Sequence, residues 1–140
     1  MRQLAAVVRR DGGFEANLWR WQEAVERLQA EEARLRAGGG AKAAERHTAQ
    51  GKMLVRDRLA ALLDRGAPFV ELATWAGWGM YEEWGGAPSA GCVTGVGTVA
   101  GRTCVVVAND ATVKAGAWFP ITCKLQIFPI LFYMLHYNRV

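Results

Sequence analysis

The residues best placed to do chemistry form a loop rather than a nucleophile with its base. Thr112-Val113-Lys114-Ala115-Gly116 follows the valine-rich run "TCVVVAND". Small residues let backbone N–H groups approach a ligand closely, and such groups aimed at one oxygen stabilise a developing oxyanion. Enolate chemistry on a thioester needs that stabilisation and no side-chain nucleophile. Lys114 adds a cation to the loop, readable either as a partner for a ligand's phosphate or as a solvated loop lysine.

Other candidates lead elsewhere. "GVGTVA" at residues 95–100 fits the dinucleotide pattern G-x-G-x-x-A, but a turn and a valine-rich strand follow it instead of the helix whose N-terminus would hold a pyrophosphate. Gly51-Lys52 lacks the upstream glycine of a P-loop, and Met53 stands where Ser or Thr is required. His47 and His136 are far apart, and neither has a cysteine or carboxylate at metal-ligand spacing, so no metal site is expected. Cys92 and Cys104 fall in strand-like segments and Cys123 at a helix start, positions that suit inert packing thiols. Asp110 ends a strand, where it reads either as a catalytic acid or, by its Asn-Asp context, as a turn cap. No catalytic side chain is assigned.

The elements that position this loop follow from periodicity. Phe14, Leu18, Trp21, Val25, Leu28 and Leu35 recur at spacings of four and three with one turn skipped, which predicts an amphipathic helix that Gly38-Gly39-Gly40 stops. This helix is expected to seek a partner surface, and an adaptor role for residues 14–36 is the weaker functional reading. Residues 41–50 continue as a short helix. In "GKMLVRDRLAALLDRG", Val55, Leu59, Leu62 and Leu63 share one helical face and Gly66 is the expected stop. "PFVELA" alternates as a strand does. "TWAGWGMYEEWGGAPSAG" has no period and reads as a long surface loop, its Trp75, Trp78 and Trp84 either pinning it to the core or forming an interface. A hairpin follows, with strands over residues 92–99 and 102–109 around Ala100-Gly101. Three successive valines, Val105 to Val107, predict burial on both faces of the second strand. "WFPITCK" opens a helix, with Pro120 tolerated near its start.

Composition bounds the class. The chain has 140 residues, 51% hydrophobic and 21% charged, the profile of one globular domain. Residues 1–65 hold 13 Lys/Arg against nine Asp/Glu, which accounts for the whole net charge of +4. Basic and acidic residues interleave there as on a solvated helix face, which argues against a nucleic-acid patch. An odd cysteine count without paired spacing points to a reducing compartment. No apolar run reaches membrane-spanning length, and the twin arginine at residues 9–10 is not followed by an apolar region.

Two long motifs, "GGGAKAAERHTAQGKMLVRDRLAALLDRGAPFVEL" and "GGAPSAGCVTGVGTVAGRTCVVVANDATVKAGAWFPITCK", carry a family resemblance. In this order, and across about Trp19 to Lys124, they resemble the N-terminal part of the carboxyltransferase (beta) subunit of biotin-dependent acyl-CoA carboxylases. The methylcrotonyl-CoA branch is the nearest, with geranyl-CoA and propionyl-CoA carboxylases as relatives. The resemblance implies a crotonase-like α/β fold of ββα units preceded by N-terminal helices. It divides the chain into a helical extension (1–50), the start of the carboxyltransferase N-terminal domain (51–124) and a divergent tail (125–140). It implies transfer of a carboxyl group from carboxybiotin to an acyl-CoA such as 3-methylcrotonyl-CoA. The biotin would be carried by a partner alpha subunit or domain, and the beta subunits would form a homo-oligomer in the cytoplasm, or in the mitochondrial matrix of a eukaryote. The loop Thr112-Val113-Lys114-Ala115-Gly116 matches the family's CoA-contacting loop, although members often carry Gly where Ala115 stands. Members continue after Lys124 with a charged helix and a glycine-rich oxyanion loop. Here "LQIFPILFYMLHYNRV" follows, so residues 125–140 are expected to be a frameshift or truncation product, and the chain is expected to bind CoA or dock on full-length subunits without turning over alone.

Overall fold

The computed structural model describes residues 10–127. The expectations for residues 1–9 and for 128–140, which hold most of the divergent tail and His136, lie outside the described residues. Internal contacts divide the chain into two units, one ending at Glu31 and one beginning at Glu32.

Helix α1 (Gly12–Arg36) forms where the four-three spacing predicts it. The Asp11 carboxylate accepts the Phe14 N–H at 3.0 Å, satisfying one orphan donor at the helix start. Arg34 and Arg36 lie in the last turn, favourable to the helix dipole. The chain then leaves the helix through Gly38, at φ 58°. Helix α2 (Ala41–Thr48) and helix α3 (Val55–Leu62) follow.

The sheet is antiparallel, with strands β1 (Val70–Leu72), β2 (Cys92–Val99) and β3 (Arg102–Asn109) in that order. The hairpin has the predicted strands and turn. Ala100 and Gly101 both have positive φ, the geometry whose twist matches a two-residue hairpin. The Asp64 carboxylate fixes that turn by accepting the N–H groups of Ala100 at 2.8 Å and Gly101 at 2.7 Å.

One face of the sheet packs on α3. Val55, Leu59 and Val93 form the core, with Leu63, Phe69, Val106 and Ala108 against it. The register places Val93, Gly95 and Gly97 opposite Ala108, Val106 and Cys104, so all six share this inner face. A Cβ on Gly95 would run into the Phe69 ring, and one on Gly97 would lie 2.6 Å from Leu63 Cδ2. The glycines of "GVGTVA" are therefore room for packing within a strand, which removes the dinucleotide reading.

Glu71, also on the inner face, ties three elements together. Arg56 donates to both of its carboxylate oxygens at 2.9 Å, and Arg36 at the end of α1 forms a second ion pair with it. Burial opposes ionisation of Glu71, but the hydrogen bonds and charge of Arg56, joined by Arg36, outweigh it and hold the carboxyl below its ordinary range.

Three expectations need correction. Helix α3 ends at Leu62, not at Gly66, because Leu63 is already extended (φ −77°, ψ 147°) and the Asp64 N–H bonds to Thr98 O at 2.9 Å. Leu62 is exposed, leaving Leu63 to fill the core. Val105 and Val107 are 45% and 36% exposed. Among the described residues β3 is an edge strand covered on one face, so the valine run alternates in and out instead of being buried on both sides.

Candidate functional site

The loop after β3 begins at Asp110, which is 7% exposed. Its Oδ1 accepts the Thr112 N–H at 2.9 Å and the Thr112 hydroxyl at 2.7 Å. Asp110 thus caps the turn, the second of its two readings. Val113 is buried at 2% exposure and anchors the loop. Lys114, Ala115 and Gly116 then take positive φ in succession, at 47°, 55° and 82°. Non-glycine residues rarely hold this conformation, and where they do the surroundings must impose it. Gly116 is confined as well, because a Cβ there would lie 2.9 Å from Asn109 Nδ2. Asn109 Oδ1 is buried and without a hydrogen-bond partner among the described residues.

A second left-handed run supports the first from beneath. Ser89, Ala90 and Gly91 have φ of 49°, 53° and 71°. Ser89 Oγ donates to Thr74 O at 2.9 Å, and the fully buried Thr122 donates its hydroxyl to Ala90 O at 2.6 Å. The Asp110 N–H bonds to Gly91 O at 2.9 Å, joining the two runs.

The loop supported in this way lines a cavity of about 620 Å³. One wall is Thr112 to Ala115, four of the five residues expected to contact a ligand; Gly116 lies behind it. The adjoining wall is the Gly38-Gly39-Gly40 linker, packed directly against the loop, and Arg34 and Arg46 also line the cavity. Gly77, Trp78, Met80, Gly85 and Gly86 of the aromatic loop close the third side. The Lys114 ammonium reaches across to Gly85, 2.8 Å from where a Cβ would stand, and has no hydrogen-bond or ion-pair partner among the described residues. Three cations against one carboxylate, Glu82, with an exposed tryptophan and loop backbone, suit a polyanionic ligand with an apolar portion.

Sequence reasoning missed two walls of this cavity. The triple glycine was readable as a helix stop, and nothing in its spacing said that it faces the 112–115 loop. Its signal is steric: Cβ atoms on Gly38 and Gly39 would collide with Asp110 Oδ2 and Thr112 O. Of the aromatic loop, Trp75 is half-buried and meets Trp78 edge-on at 5.8 Å, while the Trp78 and Trp84 side chains are largely exposed, and a further ring contact holds the loop. That contact is Tyr81 stacking on Phe119 at 4.6 Å.

The cysteines are free; burial pushes the Cys92 thiol pKa up, against the weaker effect of the Thr94 hydroxyl, as expected for a packing thiol. Among the described residues no cluster of His, Cys, Asp and Glu could hold a metal ion, and no helix is long and apolar enough to cross a membrane.

The family pattern described as "Carboxyl transferase domain" matches residues 46–131. This chain belongs to that family. Its carboxyl transferase segment is 56% identical over 90 residues to a protein of Drosophila melanogaster named a probable mitochondrial methylcrotonoyl-CoA carboxylase beta chain, covering 64% of this chain and 15% of the relative. Among solved structures, the beta subunit of geranyl-CoA carboxylase from P. aeruginosa aligns with TM-score 0.77 and 28% identity over 94% of this chain and 24% of that one. Transcarboxylase 12S, described as a hexamer with methylmalonyl-coenzyme A bound, aligns with TM-score 0.70 and 29% identity over 81% of this chain and 23% of its own. The α/β fold is therefore that of the crotonase-like carboxyltransferase subunits. The chain spans between 15% and 20% of the length of the first curated relatives it matches.

Proposed function

We propose that this chain carries the acyl-CoA side of a biotin-dependent carboxyl transfer, with a branched acyl-CoA such as 3-methylcrotonyl-CoA as acceptor. The observation that supports it most is the cavity wall Thr112 to Ala115, which falls inside the segment matched by the family, contributes Lys114, and lines one cavity with Arg34 and Arg46. Lys114, Arg34 and Arg46 suit the phosphates of CoA, and the strained loop offers backbone to the thioester end. Gly116 acts from behind the wall by permitting the left-handed turn.

Carboxybiotin is read as the co-substrate, delivered by a biotin-carrying alpha subunit or domain. The donor set of the cavity fits a polyanion and not a neutral ureido ring, so no residue of this chain is assigned to biotin. The carboxyl transfer itself is assigned to the assembled beta subunits, a homo-oligomer like the hexameric relative. Three free cysteines fit a reducing compartment, the cytoplasm or, by the naming of the Drosophila relative, the mitochondrial matrix.

Calorimetric titration of the full chain with CoA tests this reading. Wild type is expected to bind. Gly116→Val, which places a branched residue at φ 82° against Asn109, is expected to weaken binding at least about tenfold. Absence of CoA binding by folded wild-type chain overturns the proposal. Carboxyl transfer from carboxybiotin, assayed with the same chain, separates a catalytic from a binding-only role.

A further inference from the structure

We infer that Thr112 and Asp110 form a positioning pair that sets the acyl-CoA loop against the triple-glycine linker, and so fixes the seam at which these two walls of the cavity meet. The inference rests on the proposed CoA role of residues 112–116, adds a second role to Thr112, and extends to Asp110, which holds the loop without lining the cavity.

The bonds run in one direction along the seam between linker and loop. The Gly39 N–H donates to Thr112 Oγ1 at 3.0 Å, and the Thr112 hydroxyl donates in turn to Asp110 Oδ1 at 2.7 Å. The same Asp110 oxygen takes the Thr112 N–H at 2.9 Å, and the Asp110 carbonyl takes the Val113 N–H at 3.1 Å. One carboxylate therefore fixes the chain immediately before Lys114, where the left-handed run begins. Left-handed alanine and lysine persist only where neighbouring structure imposes them, and Thr112 is the last residue before Val113 that is tied to the adjoining wall.

The glycines complete the device. A side chain on Gly38 would displace the Asp110 carboxylate, and one on Gly39 would strike the Thr112 carbonyl. The linker can sit at hydrogen-bond distance from Thr112 only because both positions lack a Cβ. A ligand in the cavity meets two adjoining walls whose mutual placement is held by one hydroxyl. Valine has the shape of threonine but neither donates nor accepts, so Thr112→Val removes the tie with little change in packing volume.

Two measurements on the full chain test the pair. Amide hydrogen exchange at Gly39 reads the bond directly and needs no ligand. Exchange is expected to be about tenfold faster in Thr112→Val than in wild type, and near wild type in Thr112→Ser, which keeps the hydroxyl. CoA affinity is expected to fall about tenfold in Thr112→Val and to recover to within about threefold in Thr112→Ser. A merely structural threonine would lower the melting temperature without this pattern of rescue. Unchanged Gly39 exchange, or wild-type CoA affinity in Thr112→Val, overturns the positioning role while leaving the CoA reading intact. Changed Gly39 exchange in a chain that binds no CoA overturns the CoA reading, and the role of the pair in ligand binding with it.

Discussion

Glu71 shows how single residues hold the scaffold of the site. Its side chain is 6% exposed between the guanidinium groups of Arg56 and Arg36, which are themselves 37% and 41% exposed. Because both arginines can regain water, Glu71→Gln is expected to cost about 1–3 kcal/mol, and not the larger penalty of a fully buried broken pair. The pH dependence has a definite sign. Glu71 is held below the ordinary carboxyl range in the fold, so its contribution is complete above the unfolded value of about 4.3 and is lost as pH falls through the lower folded value. The gap in urea stability between wild type and Glu71→Gln should be constant from about pH 6 to 8 and should close below about pH 4. A gap that persists at low pH would mean that the ion pairs are not its source. Glu71 was visible in the sequence only as a strand residue, since its partners lie 15 and 35 positions away.

At the scale of elements, local pattern and tertiary context divide cleanly. Helix α1 and the hairpin were legible because each is specified by nearby residues: the four-three spacing closed by Gly38-Gly39-Gly40, and Ala100-Gly101 between two runs of eight. The end of α3 was not legible, because Asp64 leaves the helix to serve a turn 36 residues away. The burial of β3 was misread because a run of valines does not say whether its strand is central or at an edge. Val70 and Leu72 of β1 and Val105 and Val107 of β3 are exposed on the outer face, with β2 between them, and among the described residues β3 is an open edge. Such an edge templates association with other chains. Val105→Lys should reduce light scattering of concentrated samples while changing stability by about 0.5 kcal/mol or less. Equal scattering in both chains would place the association elsewhere.

At the scale of the whole molecule, the 112–116 loop could be singled out in the sequence as a candidate from its small residues and its position after a strand. Its cavity could not, because the other walls come from residues 38–40 and 77–86, and only the fold brings them together. The left-handed geometry was hidden as well, since Lys114 and Ala115 do not announce positive φ as glycine does. The most direct measurement is a titration of isotope-labelled chain with CoA, followed by amide chemical shifts. Binding at the proposed site requires the largest changes to fall on Thr112 to Ala115, Gly38 to Gly40 and Gly85 to Gly86, saturating together with one affinity. Saturable changes confined to other residues, or none at all in a folded chain, would contradict the assignment of this cavity to acyl-CoA.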